Sequence, residues 1–309
     1  MNNYLGIEIG GTKLQLVSGT ADGVIAERTR FQVDAGEGAA AIRQRIEETI
    51  PKLIDQFHPT AIGVGFGGPV NRQTGHIAKS HQVEGWSEFP IVDWLTGLSA
   101  LPTLVENDAN TAALGEATCG AGRGKNPVFY INMGSGIGGG LVVGACVYHG
   151  QSPGETEIGH IRLTAKETLE DRCSGWVVDR RIREAVAAHP DSLLARNVSG
   201  DDCSEARFLL QSMNDGDADA RRIFSDTTRD IAFALSHVTH LFHPEVIVLG
   251  GGLSLIGEPF RDAIGAALSK FIMEVFLPGP QVVLAKLTED AVPVGALVLA
   301  ATSRKQHAD

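Results

Sequence analysis

A short run of carboxylate and amide side chains, Glu106-Asn107-Asp108-Ala109-Asn110, follows a predicted strand and begins a predicted helix. An aspartate at a helix start commonly caps the helix by accepting a backbone hydrogen bond, and the spacing alone favours this role for Asp108. The same carboxylate could act as a general base towards an attacking hydroxyl, with Asn107 holding the substrate. Phosphoryl transfer requires one carboxylate at the nucleophile together with groups that neutralise phosphate charge.

Two glycine-rich turns could supply those groups. Gly10-Gly11-Thr12-Lys13 and Gly134-Ser135-Gly136 each lie between two predicted strands. Consecutive backbone N–H groups without a Cβ in the way can bind a phosphate, and Thr12 and Lys13 would add a hydroxyl and a cation. An ordinary Gly-Gly hairpin turn is the alternative for the first turn. Neither turn has Walker-type spacing, and the strand that follows the second turn argues against a dinucleotide-binding turn.

Two further segments carry polar groups or exposed backbone. Gly250-Gly251-Gly252 follows a predicted buried strand, where it is either a simple strand-to-helix turn or a contact for the adenosine part of a nucleotide. Glu157 and His160 lie three residues apart in a predicted loop. They could bind sugar hydroxyls or a metal ion; the alternative is a solvated carboxylate beside a histidine with its own partner.

The elements that must position these residues alternate between strands and helices, which indicates α/β layers. The pattern of strand, glycine turn and strand occurs once in each half of the chain, which indicates an internal duplication. We therefore expect two lobes around a central cleft, with the phosphates of a nucleotide held between the paired turns. The predicted smaller lobe contains residues 1–112 and 293–309, and the larger lobe contains residues 113–292.

Length and composition narrow the class of protein. The chain has 309 residues, 43% of them hydrophobic, and 37 glycines, a higher proportion than the usual share of about 7%. Its formal net charge of −11 argues against nucleic acid or an anionic membrane as a main partner. The four cysteines form no CxxC pair, no signal peptide is evident, and no apolar run approaches the roughly 20 residues of a membrane span. We therefore expect a cytoplasmic protein with free thiols.

Taken in order, these motifs resemble the ROK family of sugar kinases and sugar-responsive repressors, within the hexokinase–actin–Hsp70 superfamily. The matching segments are residues 6–13, 65–70, 85–86, 106–110, 134–140, 157–160 and 248–252. The resemblance implies a duplicated, two-lobed ribonuclease-H-like (actin-like ATPase) fold with a central cleft. It also implies a homodimer.

The resemblance further implies a role for each matching residue. Asp108 would be the catalytic base, and Glu8 would contact Mg²⁺ or water bound to it. The residues implied for ATP are Gly10, Gly11, Thr12, Lys13, Gly134, Ser135, Gly136, Gly250, Gly251 and Gly252. The residues implied for the sugar are Gly68, Asn107, Asp108, Glu157 and His160.

The chain departs from the family pattern in two places. The first glycine turn usually follows an aspartate, where this chain has Glu8. Family members also usually carry a CxCGxxGCxE segment, whose cysteines bind zinc and whose glutamate contacts the sugar, and here only Cys173 survives. One thiol and His160 cannot complete a four-ligand zinc site, so we predict no zinc. Candidates to replace the missing glutamate are Glu170, Asp171 and Asp179.

The function that these observations favour is an ATP-dependent kinase that transfers the γ-phosphoryl group of MgATP to a hexose hydroxyl, with the 6-hydroxyl as the expected acceptor. One alternative is a catalytically weak sugar- or nucleotide-binding relative, or a kinase that uses another donor such as polyphosphate. A sugar-responsive repressor is not favoured, because the first predicted strand begins four residues into the chain and leaves no room for an N-terminal helix-turn-helix.

Overall fold

A computed structural model describes residues 2–78, 83–151, 156–198 and 204–303. The strands, in chain order, are β1 (Tyr4–Ile9), β2 (Lys13–Gly19), β3 (Ile25–Gln32), β4 (Ile62–Phe66), β5 (Val70–Asn71), β6 (His76–Ile77), β7 (Thr103–Asn107), β8 (Val128–Met133), β9 (Ile137–Val143), β10 (Cys146–Val147), β11 (Val246–Gly250) and β12 (Gln281–Leu284). The helices, in chain order, are α1 (Gly38–Phe57), α2 (Ile91–Ser99), α3 (Asp108–Thr118), α4 (Leu169–Cys173), α5 (Gly175–Ala188), α6 (Leu193–Asn197), α7 (Leu209–Asn214), α8 (Ala218–Phe242), α9 (Glu258–Leu268) and α10 (Ala291–Thr302).

The chain forms two compact units. The first unit contains Met1–Gly124, Gly140–Thr156 and Lys286–Asp309, and the second contains Lys125–Gly139 and Glu157–Ala285. The sequence predicts a boundary at residue 112, inside α3, whereas the first unit keeps the whole of α3. The reason is that α3 packs along α10 of the same unit, so the two helices cannot be assigned to different units.

The first sheet aligns the ends of three parallel strands. Its strand order is β3-β2-β1-β4-β7. Strand β2 runs antiparallel to both β1 and β3, whereas β1, β4 and β7 are parallel. Every residue of β4 is buried, as expected for a parallel strand that is covered on both faces. The register pairs Ile9 with Phe66 and Phe66 with Asn107, so the residues that follow these three strand ends lie side by side.

The second sheet repeats this strand order. Its order is β10-β9-β8-β11-β12, with β8, β11 and β12 parallel and β9 and β10 antiparallel. The strands β8 to β12 therefore take the places of β1, β2, β3, β4 and β7 in the first sheet. This correspondence confirms the predicted α/β fold and its internal duplication.

Helix α1 runs unbroken through Pro51, although a proline inside a helix usually kinks or breaks it. Its apolar side chains recur at helical spacing on both sides of the proline, and Ile46, Ile50 and Leu53 are all buried in one core cluster with the first sheet. Packing of this face on the sheet outweighs the loss of one backbone hydrogen bond at the proline. None of the helices in the described part of the chain is long and apolar enough to cross a bilayer.

Candidate active site

Three predicted motifs meet at the aligned strand ends of the first unit. Gly10 follows β1, Gly67 follows β4, and Asp108 follows β7. A Cβ on Gly67 would lie 3.4 Å from the Cα atom of Gly10 and 3.5 Å from Oδ2 of Asp108, so the three segments lie in close contact. The carboxyl ends of parallel strands are the usual place for ligand sites in α/β proteins.

The helix cap of α3 is Asn107 rather than Asp108. Oδ1 of Asn107 accepts hydrogen bonds from the backbone N–H groups of Ala109 (2.9 Å) and Asn110 (3.3 Å), and its Nδ2 donates to the carbonyl oxygen of Gly68 (3.1 Å). Asp108 is the first residue of the helix, and its Oδ1 accepts from Ala109 N at 2.8 Å. The structural role that the sequence favours for Asp108 therefore belongs to its neighbour.

A buried carboxylate, Glu106, supports this junction and was missed by the sequence analysis. Its Oε1 accepts from the backbone N–H of Asn107 (2.9 Å) and from Nδ2 of Asn110 (3.2 Å). Its Oε2 lies 2.5 Å from Nε2 of His149, whose side chain is also largely buried. The only sequence signal for Glu106 is an acidic residue at the end of an otherwise apolar strand.

The first glycine turn carries a closely paired set of charges. Lys13 Nζ lies 3.0 Å from Oε1 of Glu8, and Nε2 of Gln15 donates to Oε2 of Glu8 at 2.8 Å. Burial raises the pKa of Glu8, and this effect exceeds the opposing influence of Lys13 and Gln15. Each oxygen of Glu8 thus has one partner and keeps a second lone pair for a further contact. The sequence predicts a role for Lys13 towards phosphate and does not predict its pairing with Glu8.

The second unit brings together its two glycine segments. The register places Gly250 opposite Asn132, next to the end of β8. Gly251 has a φ of 80°, and a Cβ there would lie 2.5 Å from backbone atoms of Met133. Close packing on β8 accounts for this glycine without a ligand, whereas a Cβ on Gly252 would meet no atom within 4 Å. Contact of these glycines with adenosine remains a proposal.

The turn at Gly134, Ser135 and Gly136 leads directly from β8 to β9. Gly134 N donates to the carbonyl oxygen of Gly136 at 3.0 Å, and the side chain of Ser135 is exposed. The backbone N–H of the next residue, Ile137, donates to Oε2 of Glu170 at 2.7 Å. A carboxylate from α4 thus contacts the predicted phosphate-binding turn.

The predicted sugar-binding pair Glu157 and His160 flanks a 3-10 turn in the second unit. Both side chains are exposed, and His160 N donates to the carbonyl oxygen of Glu157 at 3.1 Å. The other predicted sugar-binding residues, Gly68, Asn107 and Asp108, belong to the first unit.

The family of the chain follows from comparison with known proteins. The model of the ROK family matches residues 4–303. The chain belongs to the ROK family. A glucokinase from Halalkalibacterium halodurans is 29% identical over 307 residues, covering 94% of this chain and 93% of that protein. A glucokinase from Thermotoga maritima is 28% identical over 301 residues, covering 94% of this chain and 95% of that protein.

Solved ROK structures share the fold. A ROK family glucokinase from Streptomyces griseus, determined in complex with glucose and AMPPNP, matches with a TM-score of 0.83 and 28% identity over 97% of this chain and 100% of that one. A ROK hexokinase from Thermus thermophilus matches with a TM-score of 0.82 and 26% identity over 98% of this chain and 99% of that one. These matches confirm the α/β fold predicted from the ROK motifs.

The sequence predicts that Cys173 is what remains of the ROK zinc segment. Cys173 is buried, and its thiol contacts the carbonyl oxygen of Thr227 at 3.8 Å. Burial raises the pKa of Cys173 to about 12, because the apolar surroundings disfavour the thiolate. Among the residues that the structure describes, no cluster of three or more His, Cys, Asp or Glu side chains is arranged to hold a metal ion. That the protein binds no zinc stays a prediction from the sequence.

Two of the three carboxylates proposed for the missing ROK glutamate have structural roles. Asp171 forms a reciprocal capping box with Thr168 at the start of α4, and the backbone hydrogen bond from Thr168 lowers its pKa. Asp179 accepts a hydrogen bond from the backbone N–H of Ala206 at 2.8 Å, and burial raises its pKa. Glu170 differs from both, because its carboxylate reaches the second glycine turn.

Proposed function

We propose that the protein is an ATP-dependent sugar kinase that transfers the γ-phosphoryl group of MgATP to a hydroxyl of a hexose, with the 6-hydroxyl as the expected acceptor. The observation that carries the proposal is the meeting of Gly10, Gly67 and Asp108 at the ends of β1, β4 and β7. Membership of the ROK family and the similarity to glucokinases of Halalkalibacterium halodurans and Thermotoga maritima support it.

Asp108 is the proposed general base. Its Oδ1 is held by Ala109 N, which fixes the carboxylate at the first turn of α3. In the proposed reaction the sugar hydroxyl gives its proton to Asp108 while its oxygen forms a bond to the γ-phosphorus. The bond between that phosphorus and the bridging oxygen of ADP breaks, and ADP leaves with the bonding electron pair.

Asn107 is the proposed sugar ligand beside the base. Its amide nitrogen carries two hydrogens, one of which is donated to the carbonyl oxygen of Gly68. The hydrogen bonds from Ala109 and Asn110 to its Oδ1 fix the orientation of the whole amide group. Gly68, Glu157 and His160 are the other residues proposed to contact the sugar.

The phosphates of ATP are proposed to bind the two glycine turns, in which the N–H groups of Gly10 and Gly134 already donate to the carbonyl oxygens of Lys13 and Gly136. The first turn contributes Gly10, Gly11, Thr12 and Lys13, and the second contributes Gly134, Ser135 and Gly136. Magnesium arrives as part of the MgATP substrate and reduces the charge of the phosphates. Glu8 is proposed to contact this ion or its water, and Gly250, Gly251 and Gly252 are proposed to contact adenosine.

Because the proposed substrate is cellular ATP, we expect the protein in the cytoplasm. We also propose a homodimer, from the resemblance to the family.

The direct test is release of ADP from MgATP in the presence of a panel of sugars, measured with a coupled assay. The panel contains glucose, mannose, fructose, allose and an N-acetylhexosamine, and the same sugars are tested with polyphosphate as the donor. The proposal predicts sugar-dependent ADP release with at least one hexose. Phosphorylation from polyphosphate alone, or no ADP release with any of these sugars, would contradict it.

A further inference from the structure

A row of polar side chains leads away from the first glycine turn along one face of the first sheet. Glu8 on β1 is directly opposite Gln15 on β2, so their side chains lie on the same face. Nε2 of Gln15 donates to Oε2 of Glu8 at 2.8 Å, and Nζ of Lys13 lies 3.0 Å from Oε1. Each oxygen of the Glu8 carboxylate is therefore held by a different side chain, which fixes the plane of the carboxylate.

Gln15 is an amide in a place where the neighbouring residues are apolar. Gln15 is fully buried, and so are Leu14 and Leu16 on either side of it in β2. A buried amide costs free energy unless its polar atoms are hydrogen-bonded. Both ends of Gln15 have a partner, because Nε2 donates to Glu8 and Oε1 accepts from Nη1 of Arg28 at 3.3 Å. An apolar residue of similar size would satisfy the packing, so we attribute the amide to the two groups that it joins.

The row is anchored at its far end by an ion pair. Nη2 of Arg28 lies 2.5 Å from Oδ1 of Asp290, the residue that precedes α10. Contacts between side chains thus run from the start of α10 through Arg28 and Gln15 to Glu8, two residues before the first glycine turn. All four residues belong to the first unit. The Glu8 carboxylate therefore has a support that is separate from the turn itself.

We propose that Gln15 is a positioning residue that holds the Glu8 carboxylate towards the magnesium ion of MgATP, or towards water bound to that ion. This inference rests on the proposed function as a kinase. The hydrogen bond from Gln15 occupies one lone pair of Oε2 and leaves a second one for the ion or its water. Gln15 is buried and acts through Glu8, so its effect is confined to the magnesium-bound form of the nucleotide.

The test measures the dissociation constant of ATP by calorimetry in the full chain, once with magnesium and once with EDTA in its place. Gln15→Met keeps the approximate size of the side chain and removes both hydrogen bonds. Gln44→Met is the matched control, because Gln44 on α1 is exposed and donates a hydrogen bond of the same kind to Glu48 at 2.9 Å. The KM for the sugar is measured by ADP release, and the folded state by thermal unfolding.

The inference predicts that Gln15→Met weakens the binding of MgATP about tenfold, as expected when a hydrogen bond to a charged group is lost. The binding of magnesium-free ATP, the KM for the sugar and all values of Gln44→Met stay within about threefold of the wild type. Equal losses for MgATP and magnesium-free ATP would overturn the inference, because the substitution would then act on the nucleotide site as a whole. A folded variant with unchanged MgATP binding, or a parallel rise in the KM for the sugar, would also overturn it.

A double-mutant cycle with Glu8→Gln tests whether Gln15 acts through Glu8. Because Glu8→Gln removes the carboxylate, Gln15→Met is expected to cause no further loss of MgATP binding in that background. Additive losses from the two substitutions would contradict the inference. If Gln15→Met does not fold, Gln15→Asn takes its place with the same prediction, because its shorter side chain cannot reach Glu8 and Arg28 together.

Failure of the proposed function has a different signature. A wild-type protein that is folded but binds ATP neither with nor without magnesium would overturn the kinase assignment and this inference together. A wild-type protein that phosphorylates a sugar from MgATP, with a folded Gln15→Met variant that behaves in the same way, would overturn only this inference.

Discussion

Burial in the folded protein disfavours the charged form of the Glu8 side chain. Burial raises its pKa above the usual value of 4.5, despite Lys13 and Gln15 beside it. The folded protein therefore keeps a proton on Glu8 at a pH where the unfolded chain has already lost it. It follows that the contribution of this group to stability falls as the pH rises through the range above 4.5.

We predict that Glu8→Gln, which keeps the shape of the neutral acid, gains stability relative to the wild type as the pH is raised from 4 to 7. The measurement is the difference in Tm between the two proteins across this range. Glu27→Gln, at an exposed glutamate of β3, is the control for a simple loss of charge. A difference that stays constant with pH, or one that moves in favour of the wild type, would show that Lys13 and Gln15 outweigh burial.

The Glu106 carboxylate is predicted to be a large contributor to stability. Alanine at this position leaves Asn107 N, Nδ2 of Asn110 and His149 without their acceptor in a buried environment. Breaking a buried pair in this way typically destabilises a protein by about 3–5 kcal/mol. Chemical denaturation of Glu106→Ala checks the prediction, and His149→Gln, which leaves the carboxylate its two other partners, is expected to lose less. A loss under about 1 kcal/mol in Glu106→Ala would contradict the role of this network.

At the residue scale, the sequence predicted where α3 begins but assigned its helix cap to Asp108 instead of Asn107. Asp and Asn cap helices almost equally well, so residue type cannot distinguish Asn107 from Asp108. The register of β7 with β4, which sets where the strand ends, decides between them. The Glu106–His149 pair could not be found either, because it joins residues 43 positions apart through tertiary contact.

At the scale of elements, α10 and α3 pack with their backbones in contact. A Cβ on Gly295 of α10 would overlap the carbonyl oxygen of Thr111 on α3. Such a contact leaves no room for even one methyl group, and the neighbouring atom is backbone rather than a flexible side-chain end.

We therefore predict that Gly295→Ala destabilises the protein by about 1–3 kcal/mol or more, because the two helices must move apart. Gly97→Ala on α2 is the matched control, since a Cβ there would meet no atom within 4 Å. Alanine is a better helix former than glycine, so this control is expected to gain up to about 1 kcal/mol. Equal effects of the two substitutions in chemical denaturation would contradict the close packing of α3 and α10.

Most strands and helices could be predicted from the sequence, whereas the order and register in which the strands pair could not. Apolar runs such as Ile62–Phe66 and helical spacing such as that of α5 depend on local pattern alone. The order β3-β2-β1-β4-β7 and the register that aligns Ile9, Phe66 and Asn107 depend on pairing between segments that are distant in sequence. The passage of α1 through Pro51 likewise depends on the core beneath it.

At the scale of the whole molecule, the two five-stranded sheets have the same strand order. The repeat of a strand, a glycine turn and a strand in the sequence was sufficient to predict the duplication, because each copy begins its own sheet. The sequence predicts a boundary between the units at residue 112, whereas the first unit continues to Gly124, because α3 packs on α10. The ordered ROK motifs were sufficient to identify the family.

We propose that Asp108 accepts the proton of a sugar hydroxyl during phosphoryl transfer from MgATP. The most direct measurement is the rate of ADP release by Asp108→Asn, with the sugar that gives the wild type its highest rate, together with the dissociation constant for MgATP. A general base typically contributes about 10²- to 10⁴-fold, so the rate is expected to fall by this factor while the dissociation constant changes less than about threefold. A variant that is folded, binds MgATP and releases ADP at the wild-type rate would show that Asp108 is not the base.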